Sequence, residues 1–421
     1  MTASPARRKL RAALAVGAAA LVLRVGYVLR QGPPAPLAGD AVQYRLYADS
    51  VATKRIFEGP DGDRATRMPG YPLFLAAIET LAGPSTRPVQ WAQCLLGALT
   101  CVFVYFWALK LVRPRWALAC GLAAAGYYDL IAPSSWVLTE ALYSCLLAGS
   151  LCVLVQDGLP LRRRALLGGL GLGLTYLVRP EVLPFCVLIL AGAPFLLKGF
   201  TRRGAVLALA GLLSCAALWV GRNALVFDRF VPVSTIGKFS LYLGLRLPLN
   251  QQSLDLPPLY AAPDGTPELE RDQDYLRAYR ELKARIPLRR RLKAYLFSLL
   301  TVYYPFLPGY DWTYGLLVPF WLFGLWLALA RRELWPAAGL VVGLSAVFAL
   351  LAGPVSRYRF GFSPCLIVLA GAGAQGLYDR ARNPRRFQWA ASAWTAANLA
   401  ALFGSADLRE AAVWLKAWLW R

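Results

Sequence analysis

The chain has 421 residues, of which 57% are hydrophobic and only 16% are charged. This composition excludes an ordinary soluble domain and indicates a protein that crosses a membrane several times. The sequence contains no histidine, which excludes Ser-His-Asp triads, Cys-His dyads and histidine metal sites. We expect no bound metal and no cofactor.

Long apolar stretches predict an all-α transmembrane bundle of about ten or eleven spans. The candidate spans are 10–29, 89–111, 116–133, 136–156, 165–178, 182–197, 204–226, 311–330, 335–352 and 361–377, with a weaker one at 388–404. The first has no clear small-residue cleavage site and is interpreted as a retained anchor. We expect one transmembrane domain over 1–404 and an amphipathic tail over 405–421.

The net charge of +23 is explained by membrane topology. Basic clusters precede the first span and then fall in alternate connections, at 7–11, 113–115, 162–164, 198–203, 331–332 and 380–386. Basic connections mark the cytoplasmic face, so we expect a multi-pass protein of the cell membrane, surrounded by membrane lipids, with a cytoplasmic N-terminus. No basic stripe interleaved with aromatics projects from a soluble domain, which argues against a nucleic-acid partner.

The eight cysteines carry no evident chemistry. Each lies in an apolar stretch, and none belongs to a CxxC pair. They are predicted to be small buried side chains rather than disulfides or metal ligands.

Two long connections, 30–88 and 227–310, lie on the predicted extracytoplasmic face and hold most of the acidic residues. Working residues are often found on long connections, so we expect function there. Helical spacing predicts short elements over 41–57, 72–81, 268–285 and 294–307. The first two are predicted to be interfacial, and the last to be interfacial or re-entrant.

Asp40 is the first candidate for chemistry, because it follows the first span closely. A carboxylate at the membrane edge can act as a general base, and partial burial there is expected to raise its pKa. The alternative is an N-cap, since Asp40 precedes a predicted helix and Asp is a favoured cap.

A second candidate set is a group of cations at predicted extracytoplasmic span ends. Its members are Arg67, Arg179, Arg222, Lys238, Arg357 and Arg359. Charges at a span are costly, and guanidinium groups bind phosphate in a bidentate manner. We therefore expect the set to hold an anionic lipid head group. The alternative for each single side chain is snorkelling to the interface.

The acids near the same face are Asp129, Glu140 and Glu181. Glu140 lies inside a predicted apolar span, so it must pair with an arginine or line a wet cavity. The alternative to a role in the reaction is a structural ion pair.

Several blocks resemble the GT-C glycosyltransferases, in the branch that holds protein O-mannosyltransferases and lipid A aminoarabinose transferases. The first is Asp40 with Tyr44 and Tyr47, followed by the stretch from Pro69 to Ala76. The others, in the family's order, are 139–143, 177–181, 219–223 with 230–235, and 356–359. The resemblance covers about residues 20 to 377.

The resemblance implies that a sugar moves from a polyprenyl-phosphate donor to an extracytoplasmic acceptor, which is a protein, a lipid or a glycan. It implies that Asp40 is the base and that basic residues hold the phosphate. We expect Tyr44, Tyr71, Asp129 and Glu140 to contact the acceptor or the sugar. The chain departs from the mannosyltransferases at Ala41, where they carry a second acid. It departs from the aminoarabinose transferases in lacking histidine and in having Arg67-Met68-Pro69 where they have Lys before Pro.

The expected mechanism is one in-line displacement with inversion, in which Arg67, Arg222 and Arg357 stabilise the departing phosphate. Two other function classes fit parts of the pattern. A transporter or flippase for lipid-linked sugars explains the spans and the cations, but not a long outer loop that begins with an acid. An O-antigen ligase or polymerase is disfavoured by the order of the blocks.

Overall fold

The computed structural model describes residues 4–250, 252, 254, 256–306, 309–351, 353–381 and 383–410. Within these residues the chain is helical and has no strand, apart from one isolated bridge between Phe306 and Tyr310. The all-α prediction is therefore confirmed. Arg382 of the last basic cluster and residues 411–421 of the predicted tail lie outside the described residues.

The helices are numbered in chain order. They are α1 (Pro5–Arg30), α2 (Asp40–Lys54), α3 (Gly70–Ala82), α4 (Thr86–Ala108), α5 (Pro114–Gly126), α6 (Tyr128–Ile131), α7 (Glu140–Val155), α8 (Leu161–Val178), α9 (Leu183–Leu196), α10 (Arg202–Phe227), α11 (Gly237–Leu249), α12 (Glu268–Arg285), α13 (Leu288–Val302), α14 (Trp312–Ala328), α15 (Trp335–Leu351), α16 (Arg359–Arg380) and α17 (Pro384–Phe403). Most of the predicted spans and loop helices begin and end within a few residues of these bounds.

Among the described residues, five helices are long and apolar enough to cross a membrane. They comprise α1, α4, α10, and the helices that end with α15 and α16. Shorter apolar helices include α3, α7, α9 and α14. The chain is a membrane protein.

The predicted span 116–133 is not one helix. The α5 helix ends at Gly126, and Tyr127 is extended, with ψ of 124°. The 13 residues of α5 rise about 20 Å at 1.5 Å per residue, which is less than the hydrocarbon core of about 30 Å. The sequence did not reveal this break, because the apolar run continues on both sides of it.

Some helices of the apolar core pack very closely against each other. A side chain at Gly169 would collide with the Ala208 carbonyl oxygen, so α8 and α10 approach backbone to backbone, as small residues allow in membrane helices. The cysteines are all buried and free, as the sequence predicts.

The second long loop folds into a layer of its own. Helices α12 and α13 both pack against α11, around a small cluster that includes Tyr242, Leu245 and Leu282. The predicted element 294–307 is shifted, because α13 covers Leu288–Val302; residue 307 lies outside the described residues. Leucines one turn apart along α13 are more than half exposed, at Leu288, Leu292, Leu296 and Leu300. Such an apolar stripe is typical of a helix that lies on a membrane surface.

Candidate active site

Asp40 is the first residue of α2, and a turn at Gly39 precedes it. Gly39 has φ of +56°, a conformation that glycine adopts at little cost. The helix cap is Gly39, and no side chain caps α2, so the structure does not support the N-cap alternative for Asp40. The carboxylate instead accepts hydrogen bonds from two arginines: Arg67 Nη2 donates to Oδ1 at 2.6 Å and Arg357 Nη2 to Oδ2 at 3.2 Å.

These arginines set the proton affinity of Asp40. Burial raises the pKa of the carboxyl group, but the charges and hydrogen bonds of Arg67 and Arg357 outweigh burial and hold the pKa below its ordinary value of 3.8. The expected upward shift is wrong, because burial was considered without the cations that came with it. In this structure Asp40 is therefore ionised, and both of its carboxylate oxygens already accept hydrogen bonds from arginines.

Arg67 is fixed from several sides. Its Nε donates to Gln43 Oε1 at 2.8 Å, and its guanidinium lies 5.2 Å from the ring centroid of Tyr44. Gln43 and Tyr44 lie within the first turns of α2, the helix that begins with Asp40. The base candidate and the cation that faces it are therefore held by one short helix.

A buried glutamate connects the remaining cations. Glu140, the first residue of α7, is 1% exposed and accepts from Arg179 Nη2 at 3.2 Å. Its Oε1 also lies 3.3 Å from Arg357 Nε. Arg179 is further held by Thr139, whose hydroxyl accepts from Nε at 2.9 Å. A continuous chain of charges therefore runs from Arg67 through Asp40, Arg357 and Glu140 to Arg179.

This chain of charges borders a cavity of about 300 Å³, which we call the arginine cavity. Its charged lining residues are Asp40, Arg67, Arg179, Glu181 and Arg357. Among the described residues, neither Arg179 Nη1 nor Glu181 Oε2 has a hydrogen-bond partner, although both atoms are buried. Buried polar atoms without partners are uncommon and costly, so a polar group bound beside them would satisfy hydrogen-bonding capacity that the protein leaves open.

The lining of the arginine cavity also includes apolar side chains. They are Val233, Ile236, Phe348 and Leu351, which come from the second long loop and the end of α15. The cavity therefore offers an occupant both cationic and apolar contacts.

A second cavity of about 310 Å³ lies beside the first. It is lined by the segment 34–38, by Ala41 and Trp136, and by Arg357. Arg357 lines both cavities and bonds to Asp40. The Asp40–Arg357 pair therefore stands where the two cavities meet.

The structure does not bring Arg222 or Lys238 into the arginine cavity. Arg222 donates to the backbone carbonyls of Arg64 at 2.7 Å and Phe57 at 3.1 Å. Lys238 pairs with Asp272 at 2.6 Å. Both cations support the long loops, a use that sequence position at a span end does not reveal.

Arg359 and Asp129 also lie elsewhere, in a fully buried cluster. Arg359 donates to Asp129 at 2.7 and 3.0 Å and to Asp311 at 3.2 Å, and it is 0% exposed. Ser363 donates to the same Asp129 carboxylate at 3.0 Å. This cluster has the form of the structural ion pair that was the alternative for the acids.

Tyr44 and Tyr71 have different places. Tyr44 lines the arginine cavity. Tyr71 is 0% exposed and donates its hydroxyl to Gln93 Oε1 at 2.9 Å, with its ring 5.1 Å from that of Tyr44. Tyr71 therefore supports Tyr44 from behind.

Sequence reasoning missed several lining residues. Gln43, which orients Arg67, and Thr66, Ser240 and Tyr358, which line the arginine cavity, were not chosen. Gln43 and Tyr358 lie inside the blocks that carry the resemblance, so adjacency to Asp40 and Arg357 was the available signal. Nothing in the local sequence marks Ser240.

The sequence matches no protein-family model and no curated protein. Solved structures do match. One is the archaeal oligosaccharyltransferase AglB from Archaeoglobus fulgidus, in complex with an inhibitory peptide and a dolichol-phosphate. It has 14% identity and a TM-score of 0.53, over 95% of this chain and 55% of that chain. Another is ArnT from Cupriavidus metallidurans bound to undecaprenyl phosphate. It has 15% identity and a TM-score of 0.50, over 96% of this chain and 71% of that chain.

The chain has the GT-C fold. The similarity extends over nearly all of the chain, which spans about half the length of the archaeal oligosaccharyltransferase. At this level of identity the similarity shows the fold alone.

A structure of the same archaeal enzyme with Zn and sulfate also matches, with 14% identity and a TM-score of 0.52, over 95% of this chain and 52% of that chain. The residues of the present GT-C fold do not fit such a metal beside Asp40. Both carboxylate oxygens of Asp40 already accept from arginines. Among the described residues, no three His, Cys, Asp or Glu side chains come together as a ligand set. No step below is routed through a metal.

Proposed function

We propose that this protein is a membrane glycosyltransferase that moves a sugar from a polyprenyl-phosphate donor to an extracytoplasmic acceptor by one inverting displacement. The observation that carries the proposal is the position of Asp40, a carboxylate held between Arg67 and Arg357 where two cavities meet. Such a position suits a base that must act between a donor and an acceptor.

The donor phosphate is assigned to the arginine cavity. Arg67, Arg179 and Arg357 supply the positive charge, and Arg179 Nη1 has no partner within the described residues. Guanidinium groups match phosphate oxygens geometrically and remain charged at all working pH values. The apolar side chains that line the same cavity, including Val233 and Leu351, suit the start of the polyprenyl chain. The matched structures of AglB and ArnT contain dolichol-phosphate and undecaprenyl phosphate, respectively, which supports this donor class.

The residues of the site account for the proton and for both bonds that change in the proposed reaction. Asp40 takes the proton of the acceptor hydroxyl, and the hydroxyl oxygen forms a bond to the anomeric carbon. The bond from that carbon to the phosphate oxygen breaks, and its electron pair leaves with the phosphate. Arg67, Arg179 and Arg357 stabilise the charge that develops there, which is often the largest contribution to catalysis. No covalent intermediate is formed.

The arginines also regulate the base. Without donor, Arg67 and Arg357 hold the pKa of Asp40 down. A phosphate that draws these guanidinium groups toward itself weakens their hold on Asp40. The carboxylate then becomes a stronger base at the moment when the donor is in place.

The acceptor is assigned to the second cavity. In-line displacement requires the nucleophile and the leaving group on opposite sides of the anomeric carbon, and the two cavities meet at Asp40 and Arg357. Tyr44 lines the donor side, where it can contact the sugar. Glu140 acts indirectly, by holding Arg179 and Arg357.

The proposed location is the cell membrane, with the N-terminus in the cytoplasm and Asp40 on the opposite face. The support is the distribution of charge: Arg162, Arg163 and Arg164 begin α8 at the end remote from Arg179. Basic residues mark the cytoplasmic ends of membrane helices.

The test is release of undecaprenyl phosphate from undecaprenyl-phosphate hexoses by the purified full-length protein, with a membrane-lipid extract as the source of acceptor. Asp40→Asn is expected to slow release by about 10²–10⁴-fold, because it removes a general base. Asp61→Asn, which changes an exposed acid of the same loop, is the matched control and should behave as wild type. Wild-type release by Asp40→Asn would overturn the assignment. Movement of the intact donor across vesicles without release would favour a transporter.

A further inference from the structure

The segment 64–66, which leads directly into Arg67, is bonded to a residue far away in the chain. Glu268 is the first residue of α12, in the second long loop. Its carboxylate accepts from the Arg64 N–H at 2.6 Å and from the Ala65 N–H at 2.9 Å. Two consecutive amide donors therefore meet one carboxylate, an arrangement that needs an acceptor with two oxygens.

The same carboxylate also accepts hydrogen bonds from two hydroxyl groups. The Thr235 hydroxyl donates to Glu268 Oε1 at 2.6 Å and the Thr66 hydroxyl at 3.2 Å. The Thr235 N–H donates to the Ala65 carbonyl at 2.9 Å. Glu268 thus joins the first long loop to two parts of the second, beside the ion pair between Arg271 and Asp63.

Other contacts complete the restraint on this segment. Arg222 donates to the Arg64 carbonyl at 2.7 Å, and the Thr66 N–H donates to the Tyr47 hydroxyl at 3.2 Å. Ala65 is 0% exposed. With its N–H and C=O groups bonded in this way, the segment has little freedom, and it fixes where the backbone of Arg67 lies.

We propose that Glu268 is a positioning residue for Arg67, through which the second long loop controls the phosphate site. This inference rests on the proposed function, because it gives Arg67 the donor phosphate as its ligand. Glu268 does not line the arginine cavity and acts only through the segment 64–66. A displacement of about 1 Å at a reacting or binding group can cost up to about 10²-fold, so a small shift of this segment suffices.

The test uses the full-length protein in detergent, with undecaprenyl phosphate as the probe. Glu268→Gln keeps the size of the side chain, but turns one acceptor oxygen into an NH₂ donor facing amide donors. Its affinity is expected to fall about tenfold, with a melting temperature close to that of wild type. Glu270→Gln, on the same helical turn and exposed, makes the same charge change and should bind as wild type.

A double variant separates positioning from general support. If Glu268 acts through Arg67, adding Glu268→Gln to Arg67→Ala should weaken binding no further than Arg67→Ala alone. If the losses of affinity in the two single variants instead multiply in the double variant, the proposal is overturned. Wild-type affinity in Glu268→Gln would overturn it as well.

A second measurement tests the positioning role of Glu268 even if the proposed function is wrong. Should the wild-type protein not bind undecaprenyl phosphate, amide hydrogen exchange at Arg64 and Ala65 still reports the restraint. Exchange at one or both amides is expected to be at least about tenfold faster in Glu268→Gln than in wild type, because Gln keeps only one acceptor oxygen for the two amide donors. Unchanged exchange at both amides would contradict the positioning role.

Discussion

Arg67 Nη2 donates to Asp40 Oδ1 at 2.6 Å, although the two residues are separated by the whole of α2 and the turn that follows it. The same guanidinium faces the arginine cavity. Arg67 is therefore shared between the carboxylate we propose as the base and the anion we propose as the ligand. In the proposed mechanism this sharing couples donor binding to the basicity of Asp40.

The first prediction concerns pH. In the proposed mechanism transfer needs ionised Asp40, whose pKa is held below 3.8 in the free protein. With an active undecaprenyl-phosphate sugar, kcat/KM should therefore stay level as pH falls to that value and decline only below it, since kcat/KM reports the free enzyme. In Arg67→Ala the decline should begin at higher pH, because a cation that lowers the pKa is lost. A decline that moves to lower pH in Arg67→Ala would contradict the arrangement; melting curves at each pH control for unfolding.

The second prediction concerns the shape of the cation. Arg67 makes separate hydrogen bonds to Asp40 and Gln43 through different nitrogens, which a point charge cannot reproduce. Arg67→Lys should therefore bind undecaprenyl phosphate at least about tenfold more weakly than wild type, and Arg67→Ala more weakly still. Equal affinities for the Lys variant and wild type would show that the planar group is not used.

The third prediction concerns the buried Arg359 cluster. Arg359→Ala leaves Asp129 and Asp311 buried without their cation. Loss of one partner from a buried ion pair typically costs about 3–5 kcal/mol, so the melting temperature should fall markedly or expression should fail. A well-folded Arg359→Ala that had lost only undecaprenyl phosphate binding would instead place Arg359 in the phosphate site.

The fourth prediction concerns topology. Cysteine introduced at the exposed Asp61 should react with an impermeant thiol reagent in intact cells, and cysteine at Arg163 should react only after permeabilisation. The native cysteines are all buried, which keeps the background low. The reverse pattern would place Asp40 on the cytoplasmic side and remove the extracytoplasmic mechanism.

The helices were largely predictable, because apolar length and the alternation of basic connections constrain membrane helices strongly. Asp40, Arg67, Arg179 and Arg357 were predictable as a group for a related reason: charge at the edge of an apolar span needs an explanation. The structure brings these four to one cavity.

The remaining cations could not be sorted by sequence. Arg222 and Arg357 both sit at predicted span ends, yet one bonds to loop carbonyls and the other to Asp40. Which partner a long side chain meets depends on tertiary packing. The same holds for the pKa of Asp40, whose direction was set by two arginines that are distant in sequence.

The most direct test of the central claim is the affinity of the purified protein for undecaprenyl phosphate, compared among wild type, Asp40→Asn and the double variant Arg67→Ala/Arg357→Ala. Asp40 is paired with both guanidinium groups, so in the proposed site it competes with the phosphate for them. Asp40→Asn should therefore bind the lipid at least as tightly as wild type while failing to transfer sugar, and the double variant should lose most of the affinity. Unchanged affinity in a well-folded double variant, or loss of binding in Asp40→Asn, would contradict the account.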